Sequence, residues 1–302
     1  MRLPIKLNRA GWPEFFCSSR FAFDDPRPLA TGEASRLAPA SFSSAVSSLQ
    51  FGVTFKTTRP GRQSHSNRLI SELYRDAKPV ILDVGASDAI TSLDLIRALG
   101  ADLGQYFITD LNLVTRCGFG PRGTVYFLDR HQTCVLRASR HFLVYADVDG
   151  ALRPLACLAR LLLSGWRKAV NWRDVLLVQP ALVSLAGRDS RISIMSYDLF
   201  EPWSGPRPDL IKIANLLNSR YFTDAQMKEA LRIQCANLGP NGRLLLVSED
   251  HDVEKFSLFR KTAAGMQLEY DHAGGAKAAP HVPAPAPVCA VRIGQVELEV
   301  GT

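Results

Sequence analysis

The fold is decided by residues 80–89, which read Val80-Ile81-Leu82-Asp83-Val84-Gly85-Ala86-Ser87-Asp88-Ala89. A short apolar run rich in β-branched residues that ends in a glycine-containing turn is typical of a buried parallel strand. Either Ser87 or Asp88 can cap a helix directly after this turn. In that helix the apolar residues at positions 90, 93, 96 and 99 share one face, and Gly100 follows as a C-terminal cap. The stretch therefore predicts a strand, a tight turn and a helix that packs back on the strand.

The same alternation continues along the chain. A second strand covers residues 106–109 and ends at Asp110, and three later strands begin near residues 191, 209 and 243. A helix over about 223–237 lies between the last two of these strands, and Thr223 or Asp224 can cap it. Strands that alternate with helices imply a parallel sheet with helices on its faces. We therefore predict an α/β fold with a doubly wound, mostly parallel sheet in a Rossmann-like arrangement.

Two segments fall outside this alternation. Residues 121–187 predict two strands of a small ribbon, over 124–128 and 141–145, and an amphipathic basic helix over 151–166. We expect this insert to form a β-ribbon and helix cap over a substrate pocket. Residues 1–60 show little periodicity and are rich in Ala, Ser and Pro over 30–48, so we expect a poorly structured or loosely packed extension. The main domain then covers residues 61–302.

The composition excludes several classes of protein. Of the 302 residues, 46% are hydrophobic and 22% are charged, which is usual for globular proteins and unlike disordered or coiled-coil chains. No apolar stretch is long enough to cross a bilayer, and no secretory signal is evident. The six cysteines have no ligand spacing, which argues against a zinc site. We therefore expect a cytoplasmic protein with reduced thiols and no metal.

The positive charge is concentrated in two segments. The net charge is +7, and residues 1–79 and 121–173 each carry +6, which leaves −5 on the remainder. If these segments flank the pocket, the substrate is anionic or lies on an anionic surface. Trp166 beside Arg167 and Lys168 also leaves peripheral membrane contact through residues 151–168 open, as an alternative to a solvated helix face.

Polar residues follow the predicted parallel strands, where ligands bind in a doubly wound sheet. Asp110 follows the second strand and can hold a ribose diol with both carboxylate oxygens, which suits a dinucleotide or an adenosyl cofactor. A dinucleotide site needs a GxGxxG turn, but the turn here has only Gly85. Asp88 near the helix start would repel a pyrophosphate and could accept a hydrogen bond from an ammonium group. A nicotinamide cofactor is therefore disfavoured.

Several of these stretches together resemble one enzyme family. Asp83-Val84-Gly85-Ala86-Ser87-Asp88-Ala89 resembles the first motif of the class I S-adenosylmethionine-dependent methyltransferases. Ile108-Thr109-Asp110 resembles their ribose-binding position, and Tyr197-Asp198-Leu199-Phe200 their adenine-binding position. Residues 208–222 and 238–249 are similar to the fourth and post-fourth motifs of chemotaxis-receptor methyltransferases, in which an Asn precedes two apolar residues and a Tyr-Phe pair. The resemblance covers roughly residues 64–115 and 190–270.

The resemblance implies S-adenosyl-L-methionine as the cofactor and gives each motif a role. Asp83 and Gly85 would lie near the methionyl end, Asp110 at the ribose, and Asp198 with Leu199 at the adenine. The full set of cofactor-binding candidates is Asp83, Gly85, Ser87, Asp88, Asp110, Asp198, Leu199 and Ile213, and the candidates at the transfer centre are Asn215 and Tyr221. Methyl transfer needs alignment and exclusion of water rather than a nucleophilic triad or a metal.

We therefore predict an S-adenosylmethionine-dependent methyltransferase that acts on a small-molecule or protein acceptor. The alternative is a catalytically inactive binding module with the same fold, because Ser87 and Ala89 stand where the family's motif has glycines. Nucleic acid is not expected as a partner, because no Asn/Asp-Pro-Pro-aromatic segment follows the fourth strand. Residues 1–60 do not resemble the helical N-terminal domain of the chemotaxis enzymes, so methylation of receptor glutamates is not implied.

Overall fold

A computed structural model describes residues 4–17, 21–52, 54–56, 58–146 and 153–284. Within them the strands are β1 Ile5–Asn8, β2 Ala22–Phe23, β3 Gln50–Phe51, β4 Thr54–Phe55, β5 Val80–Val84, β6 Gln105–Asp110, β7 Val114–Gly120, β8 Thr124–Leu128, β9 Cys134–Ala138, β10 Phe142–Tyr145, β11 Val170–Leu176, β12 Ile192–Ser196, β13 Leu210–Ala214, β14 Arg243–Asp250, β15 Val253–Thr262 and β16 Gly265–His272. The α-helices are α1 Arg27–Ala30, α2 Pro39–Ser47, α3 Ser64–Leu73, α4 Ile90–Leu99, α5 Arg153–Ser164, α6 Pro180–Ala186 and α7 Asp224–Asn237.

One seven-stranded sheet contains the alternating strands predicted from the sequence. Its order is β12-β6-β5-β13-β14-β15-β16, and the first five of these strands run parallel to one another. The last two form an antiparallel meander on β14. The chain leaves β5 toward β6 on one side and later returns to β13 on the other, so the crevice at the carboxyl ends of β5 and β13 is a topological switch point.

Helices cover both faces of this sheet, because its buried strands are apolar on both sides. Ile81 of β5 packs in a cluster with Ile70 of α3, Leu93 of α4 and Leu182 of α6. The next residue, Leu82, points to the opposite face and packs in a cluster with Leu231 of α7. The mixed α/β class and the mostly parallel sheet agree with the prediction.

A second seven-stranded sheet takes five of its strands from the chain between β6 and β12 and two from the N-terminus. Its order is β11-β7-β8-β9-β10-β1-β2, and it is antiparallel except for the β1–β2 pair. One face packs against α1 and α2, where Phe42 meets Phe127 and Leu136 in one apolar cluster. The other face packs against α5, whose Ala159 and Leu163 lie in a cluster with Tyr126.

This second sheet corrects the prediction of a ribbon in residues 121–187. The two predicted strands are present as β8 and β10, but β9 lies between them and bonds to both. The sheet also contains β7, which directly precedes the predicted insert, β11, which lies within it, and β1 with β2 from the N-terminus. A two-stranded ribbon would leave the outer backbone N–H and C=O groups of both strands unpaired. In the observed sheet, strands from distant segments form hydrogen bonds with these groups.

The prediction of a loosely packed extension over residues 1–60 is also corrected. Strand β1 pairs with β10 from Ile5 opposite Val144 to Leu7 opposite Phe142. In α2, Phe42 and Val46 are almost completely buried, and Leu49 beyond the helix is buried as well. Alanine and serine are small enough for α2 to lie close to the sheet. The Ala- and Ser-rich composition that suggested disorder is therefore compatible with close packing.

Within the described residues, no helix is both long enough and apolar enough to cross a membrane. The same part of the chain contains no group of three or more His, Cys, Asp or Glu side chains placed to hold a metal ion.

Candidate functional site

Two adjoining cavities lie at the carboxyl ends of the parallel strands. The small cavity, about 60 Å³, is lined by residues that include Gly85, Ser87, Asn215 and Tyr221. The large cavity, about 330 Å³, is lined by residues that include Leu111, Asp198, Leu199, Phe200 and Phe222. The two cavities share the lining residues Thr54, Lys56, Gly85, Asp110 and Leu216, so they form one continuous site.

The turn after β5 brings its backbone close to both cavities. Gly85 has a φ of +72°, and a Cβ atom added there would lie 2.6 Å from Cδ2 of Leu216, so a larger residue would strain the backbone and displace the Leu216 side chain. Ser87 follows with a φ of +60°, and its N–H donates to Oδ2 of Asp110 at 2.9 Å. The turn is therefore held against the end of β6.

Asp83 borders the small cavity, but its carboxylate is already engaged inside the protein. Its Oδ2 accepts hydrogen bonds from Nζ of Lys212 at 2.9 Å, from the Tyr106 hydroxyl at 2.7 Å and from the Ser92 hydroxyl at 2.7 Å. Burial, reinforced by the Asp83 charge, raises the pKa of Tyr106 well above its ordinary value. Asp83 therefore anchors three elements beneath the turn, and Oδ2 is not free to hold a cofactor.

Asp88 is buried away from both cavities, which corrects its predicted place beside an ammonium group. Its carboxylate accepts hydrogen bonds from the Ser43 hydroxyl at 2.5 Å, from Nε2 of Gln179 at 2.7 Å and from the N–H of Ile90 at 3.1 Å. Burial raises the pKa of Asp88, and these hydrogen bonds oppose the rise. The side chain ties the turn to α2 and to the segment that precedes α6.

Asp110 lies at the boundary of the two cavities, as its predicted ribose role requires, but it has a cationic partner. Its Oδ1 accepts hydrogen bonds from Nζ of Lys56 at 2.8 Å and from the N–H of Asn112 at 2.8 Å. Both side chains of this ion pair are largely buried. Lys56 lies just beyond the short hairpin of β3 and β4, in the segment that the sequence did not connect with the site.

Asp198 and Leu199 both line the large cavity. Asp198 follows β12, and its Oδ1 accepts a hydrogen bond from the N–H of Phe200 at 3.0 Å. Phe200 and Phe222 also line this cavity and contact each other edge to face, with ring centroids 5.6 Å apart. An acidic group beside apolar and aromatic walls suits a flat heteroaromatic ring that carries hydrogen-bond donors.

The loop after β13 brings Asn215 and Tyr221 to the small cavity. Asn215 has a φ of +56°, and its N–H donates to the carbonyl of Val247 at 2.8 Å. Thr223 ends the loop by capping α7, since its hydroxyl accepts the N–H of Gln226 in a capping box. Ile213, by contrast, points into the apolar cluster beneath the sheet and does not line either cavity. The structure therefore does not bring Ile213 to the cavities where the cofactor contact was predicted.

The cavities have an N-terminal wall that the sequence did not predict. It consists of Phe51, Thr54, Lys56, Thr58, Arg62 and Gln63, which precede or begin the first helix of the parallel domain. Among the described residues of the predicted cap over 121–187, only Arg130 lines either cavity. The N-terminal segment therefore contributes more of the cavity lining than the predicted cap does, and its residues follow no periodic pattern that a sequence analysis could detect.

Two buried polar atoms at the small cavity lack a hydrogen-bond partner among the described residues. They are Oε1 of Gln63, in a side chain that is only 3% exposed, and the hydroxyl of Ser87. Buried polar atoms in folded proteins are nearly always satisfied, so two such atoms at one cavity indicate a place for a polar ligand. A carbonyl oxygen accepts and a hydroxyl can donate, and together they match a ligand that carries both an ammonium and a carboxylate group.

In comparisons with known proteins, the chain has matches among solved structures. No protein-family model and no curated protein matches the chain. Solved structures that it resembles include the S-adenosylmethionine-dependent methyltransferase SibL, at 16% identity and a TM-score of 0.31, over 61% of this chain and 36% of that one. Human N-acetylserotonin methyltransferase in complex with SAM is 11% identical with a TM-score of 0.30, over 61% and 34% of the two chains.

A third similar structure is the N-methyltransferase NodS from Bradyrhizobium japonicum WM9 in complex with S-adenosyl-L-homocysteine. It is 17% identical with a TM-score of 0.32, over 73% of this chain and 69% of NodS. The chain spans only about a third of the length of the first two structures. The resemblance to chemotaxis-receptor methyltransferases finds no support in these comparisons. TM-scores near 0.3 do not establish a common fold, so the chain is similar to methyltransferases without being assigned to their family.

Proposed function

We propose that the chain is a methyltransferase that uses S-adenosyl-L-methionine. The observation that carries the proposal is the continuous site at the switch point, in which Gly85, Asp110, Asp198 and the unpartnered atoms of Gln63 and Ser87 line one space. The large cavity falls within the range of volumes that bind small molecules and cofactors. The acceptor is a small molecule or a protein, and a cytoplasmic location remains a prediction from the sequence alone.

The lining residues fit the parts of this cofactor. Oε1 of Gln63 can accept from an ammonium group and the Ser87 hydroxyl can donate to a carboxylate, both at the small cavity. Asp110 has carboxylate lone pairs for ribose hydroxyls once Lys56 moves aside, because each carboxylate oxygen can accept more than one hydrogen bond. Asp198 with Phe200 and Phe222 provides an acidic and aromatic pocket for the adenine.

The cofactor, when bound, supplies a methyl group already activated on a sulfonium. The chain's own residues then orient donor and acceptor and exclude water, and good alignment contributes up to roughly 7–11 kcal/mol. Asn215 and Tyr221 line the small cavity opposite the Gly85 turn, so their polar groups can orient an acceptor there. The cations that line the site are Lys56, Arg62 and Arg130, and an anionic acceptor would be recognised by these rather than by the rest of the basic insert.

Two glycine substitutions test cofactor binding. Gly85→Ala strains a positive φ and also places a methyl group 2.6 Å from Leu216, which lines both cavities. Gly274→Ala strains a similar φ of +84° but meets no atom within 4 Å, so it is a matched control. We expect calorimetric titration to detect S-adenosylmethionine and S-adenosylhomocysteine binding in the native protein and in the Gly274→Ala variant, and to find it lost in the Gly85→Ala variant. Absence of binding to the native protein would reject the proposal.

A non-catalytic binding module is the second candidate, and the ion pair between Lys56 and Asp110 favours it. The Lys56 ammonium, paired with the carboxylate that would bind ribose, lowers the affinity for a cationic cofactor. A lowered affinity is compatible with a binding module, which does not turn the cofactor over. The discriminating measurement is formation of S-adenosylhomocysteine by the pure protein incubated with cell extract. Product that accumulates beyond one equivalent supports the enzyme, and binding without product supports the module.

A further inference from the structure

The helix α5 and the 3₁₀ turn Gly165–Lys168 after it carry a surface that the proposed function does not use. The helix packs on the second sheet through Ala159 and Leu163, which are both buried. At 3.6 residues per turn, Leu161 lies on almost the opposite side of the helix from Leu163. Leu161 is 69% exposed and Leu158 is 43% exposed, so the helix presents apolar side chains to solvent as well as to the second sheet.

The charges around these leucines have one sign. From residue 151 to residue 173 the sequence contains five basic residues and no acidic residue, and the nearest preceding acids are Asp147 and Asp149. Arg160, Arg167 and Lys168 are exposed. Within the described ranges of the chain, no carboxylate forms an ion pair with any of the three. We call Cys157, Leu158, Arg160, Leu161, Arg167 and Lys168 the basic helix surface.

We propose that the basic helix surface binds the surface of an anionic lipid bilayer. Exposed leucines on a helix that is flanked by Arg and Lys are the features of helices that lie in the membrane interface, where apolar side chains enter the acyl boundary and cations meet lipid phosphates. Trp166, with the Arg167 guanidinium 5.8 Å from its ring, adds a side chain that favours the same interface. None of the residues of this surface lines either cavity, so lipid binding would not use the residues of the candidate site.

Two other occupants fit the surface less well. A second copy of the chain would bring two basic surfaces together, and like charges at close range oppose such a contact. A nucleic acid would match the charge but would leave Leu161 against phosphates or water at the centre of the contact. Charge complementarity and apolar burial together are satisfied by an anionic bilayer.

Vesicle sedimentation tests the proposal with the full chain. We expect the protein to sediment with vesicles of phosphatidylcholine and phosphatidylglycerol in equal parts, and to stay in solution with phosphatidylcholine alone. Arg167→Gln with Lys168→Gln should weaken binding by about fivefold for each charge removed. Leu158→Ser with Leu161→Ser should weaken it by about tenfold or more. The controls are Leu268→Ser and Arg188→Gln, exposed residues of the first sheet's domain, which should leave binding unchanged.

Labelling of Cys157 with a maleimide tests whether the contact with the vesicle lies on α5. Cys157 is exposed, whereas burial raises the pKa of Cys134 and Cys235 to about 12 and also raises that of Cys117, so these thiols react poorly. In a Cys17→Ser, Cys289→Ser background a membrane-impermeant maleimide should therefore label Cys157, and anionic vesicles should slow the labelling. Equal sedimentation with both vesicle types, or unchanged labelling, would overturn the proposal. So would a dimer or an RNA complex that the leucine variants abolish when vesicle binding is absent.

Discussion

Lys56 is the residue whose position most affects what the site can bind. Its Nζ lies 2.8 Å from Oδ1 of Asp110, at the boundary shared by both cavities. Ribose hydroxyls and the lysine ammonium would use the same carboxylate, and the ammonium also repels a cationic sulfonium. The ion pair is thus an obstacle that a cofactor must displace before Asp110 can hold it.

Replacing this lysine should therefore strengthen cofactor binding. We expect Lys56→Met to lower the dissociation constant for S-adenosylmethionine by roughly tenfold, equivalent to about 1.4 kcal/mol. S-adenosylhomocysteine, which has no sulfonium charge, should gain less. Calorimetric titration measures both ligands, and Lys255→Met, which breaks a lysine–aspartate pair outside the cavities, is the matched control. Weaker binding to Lys56→Met would show that Lys56 contacts the ligand instead of competing with it.

The burial of Asp88 leads to a prediction about how the free energy of unfolding depends on pH. Its pKa is raised by burial, whereas the unfolded Asp titrates near its ordinary value of about 3.9. Between the unfolded and the raised folded value the folded state binds more protons, so the free energy of unfolding falls as pH rises through that window. Asp88→Asn should remove this fall, so the stability of the variant relative to the native protein should rise as pH rises through the window. Urea unfolding across a series of pH values measures the difference.

The control for that experiment has the opposite sign. Beside the Arg191 guanidinium the pKa of Asp189 is lowered to about 2, so its contribution is present above the unfolded pKa and is lost as pH falls. Relative to the native protein, Asp189→Asn should therefore lose stability as pH rises through the acidic range, whereas Asp88→Asn should gain it. Parallel pH profiles for native protein and Asp88→Asn would contradict the predicted role of burial.

At the scale of elements, α3 begins on a carboxylate supplied by a distant strand. Glu254 of β15 accepts hydrogen bonds from the N–H groups of His65 at 2.9 Å and Ser66 at 3.1 Å, and from the Ser66 hydroxyl. The N-cap residue itself, Gln63, makes no side-chain cap bond and instead lines the small cavity. Glu254 therefore caps α3 in place of the Gln63 side chain, which can then line the small cavity.

Removal of this carboxylate should affect both stability and binding. We expect Glu254→Ala to lower the free energy of unfolding by about 1–2 kcal/mol, as for other lost N-caps, and to weaken cofactor binding because the turn that carries Gln63 loosens. Glu229→Ala removes an exposed carboxylate paired with Arg232 and should change neither appreciably. Urea unfolding and titration of the same preparations measure the two effects. A loss of stability with unchanged binding would separate Gln63 from the site.

The sequence predicts the parallel strands well because their burial on both faces leaves continuous apolar runs. The run at Val80–Val84 is observed at the predicted position, and so are the strands Ile192–Ser196 and Leu210–Ala214. The second sheet was missed because its pairing is decided between segments as distant as Ile5 and Val144. Among the residues that line the cavities, Asp110, Asp198 and Asn215 could be predicted from their positions at strand ends, whereas Lys56 and Gln63 reach the cavities through tertiary packing.

At the scale of the whole molecule, the N-terminal segment joins the two sheets. It supplies β1 and β2 to the second sheet, the buried α2 beside it and the wall of the cavities at the edge of the first sheet. The N–H of Leu7 donates to the carbonyl of Phe21 and the N–H of Asn8 to that of His141. A chain without this segment would therefore lose both a sheet edge and part of the site.

Hydrogen–deuterium exchange checks this organisation directly. We expect the amides of Leu7 and Asn8 and those in α2 to exchange as slowly as the amides of β9 and β10, because they open only when the second sheet opens. Peptide-level mass spectrometry of the full chain measures these rates. Exchange of residues 4–8 at the rate of an unfolded peptide would support the loose extension that the sequence suggested.

The buried pair of Asp83 and Lys212 has a consequence for how the chain can change over evolutionary time. The two residues lie opposite each other on neighbouring parallel strands, and both side chains are almost fully enclosed. Replacing one of the two residues leaves the other charge buried without a partner. This lowers stability far more than replacing both residues with apolar ones. We therefore expect related sequences either to conserve both the aspartate and the lysine or to replace both. The two positions should then covary in evolution.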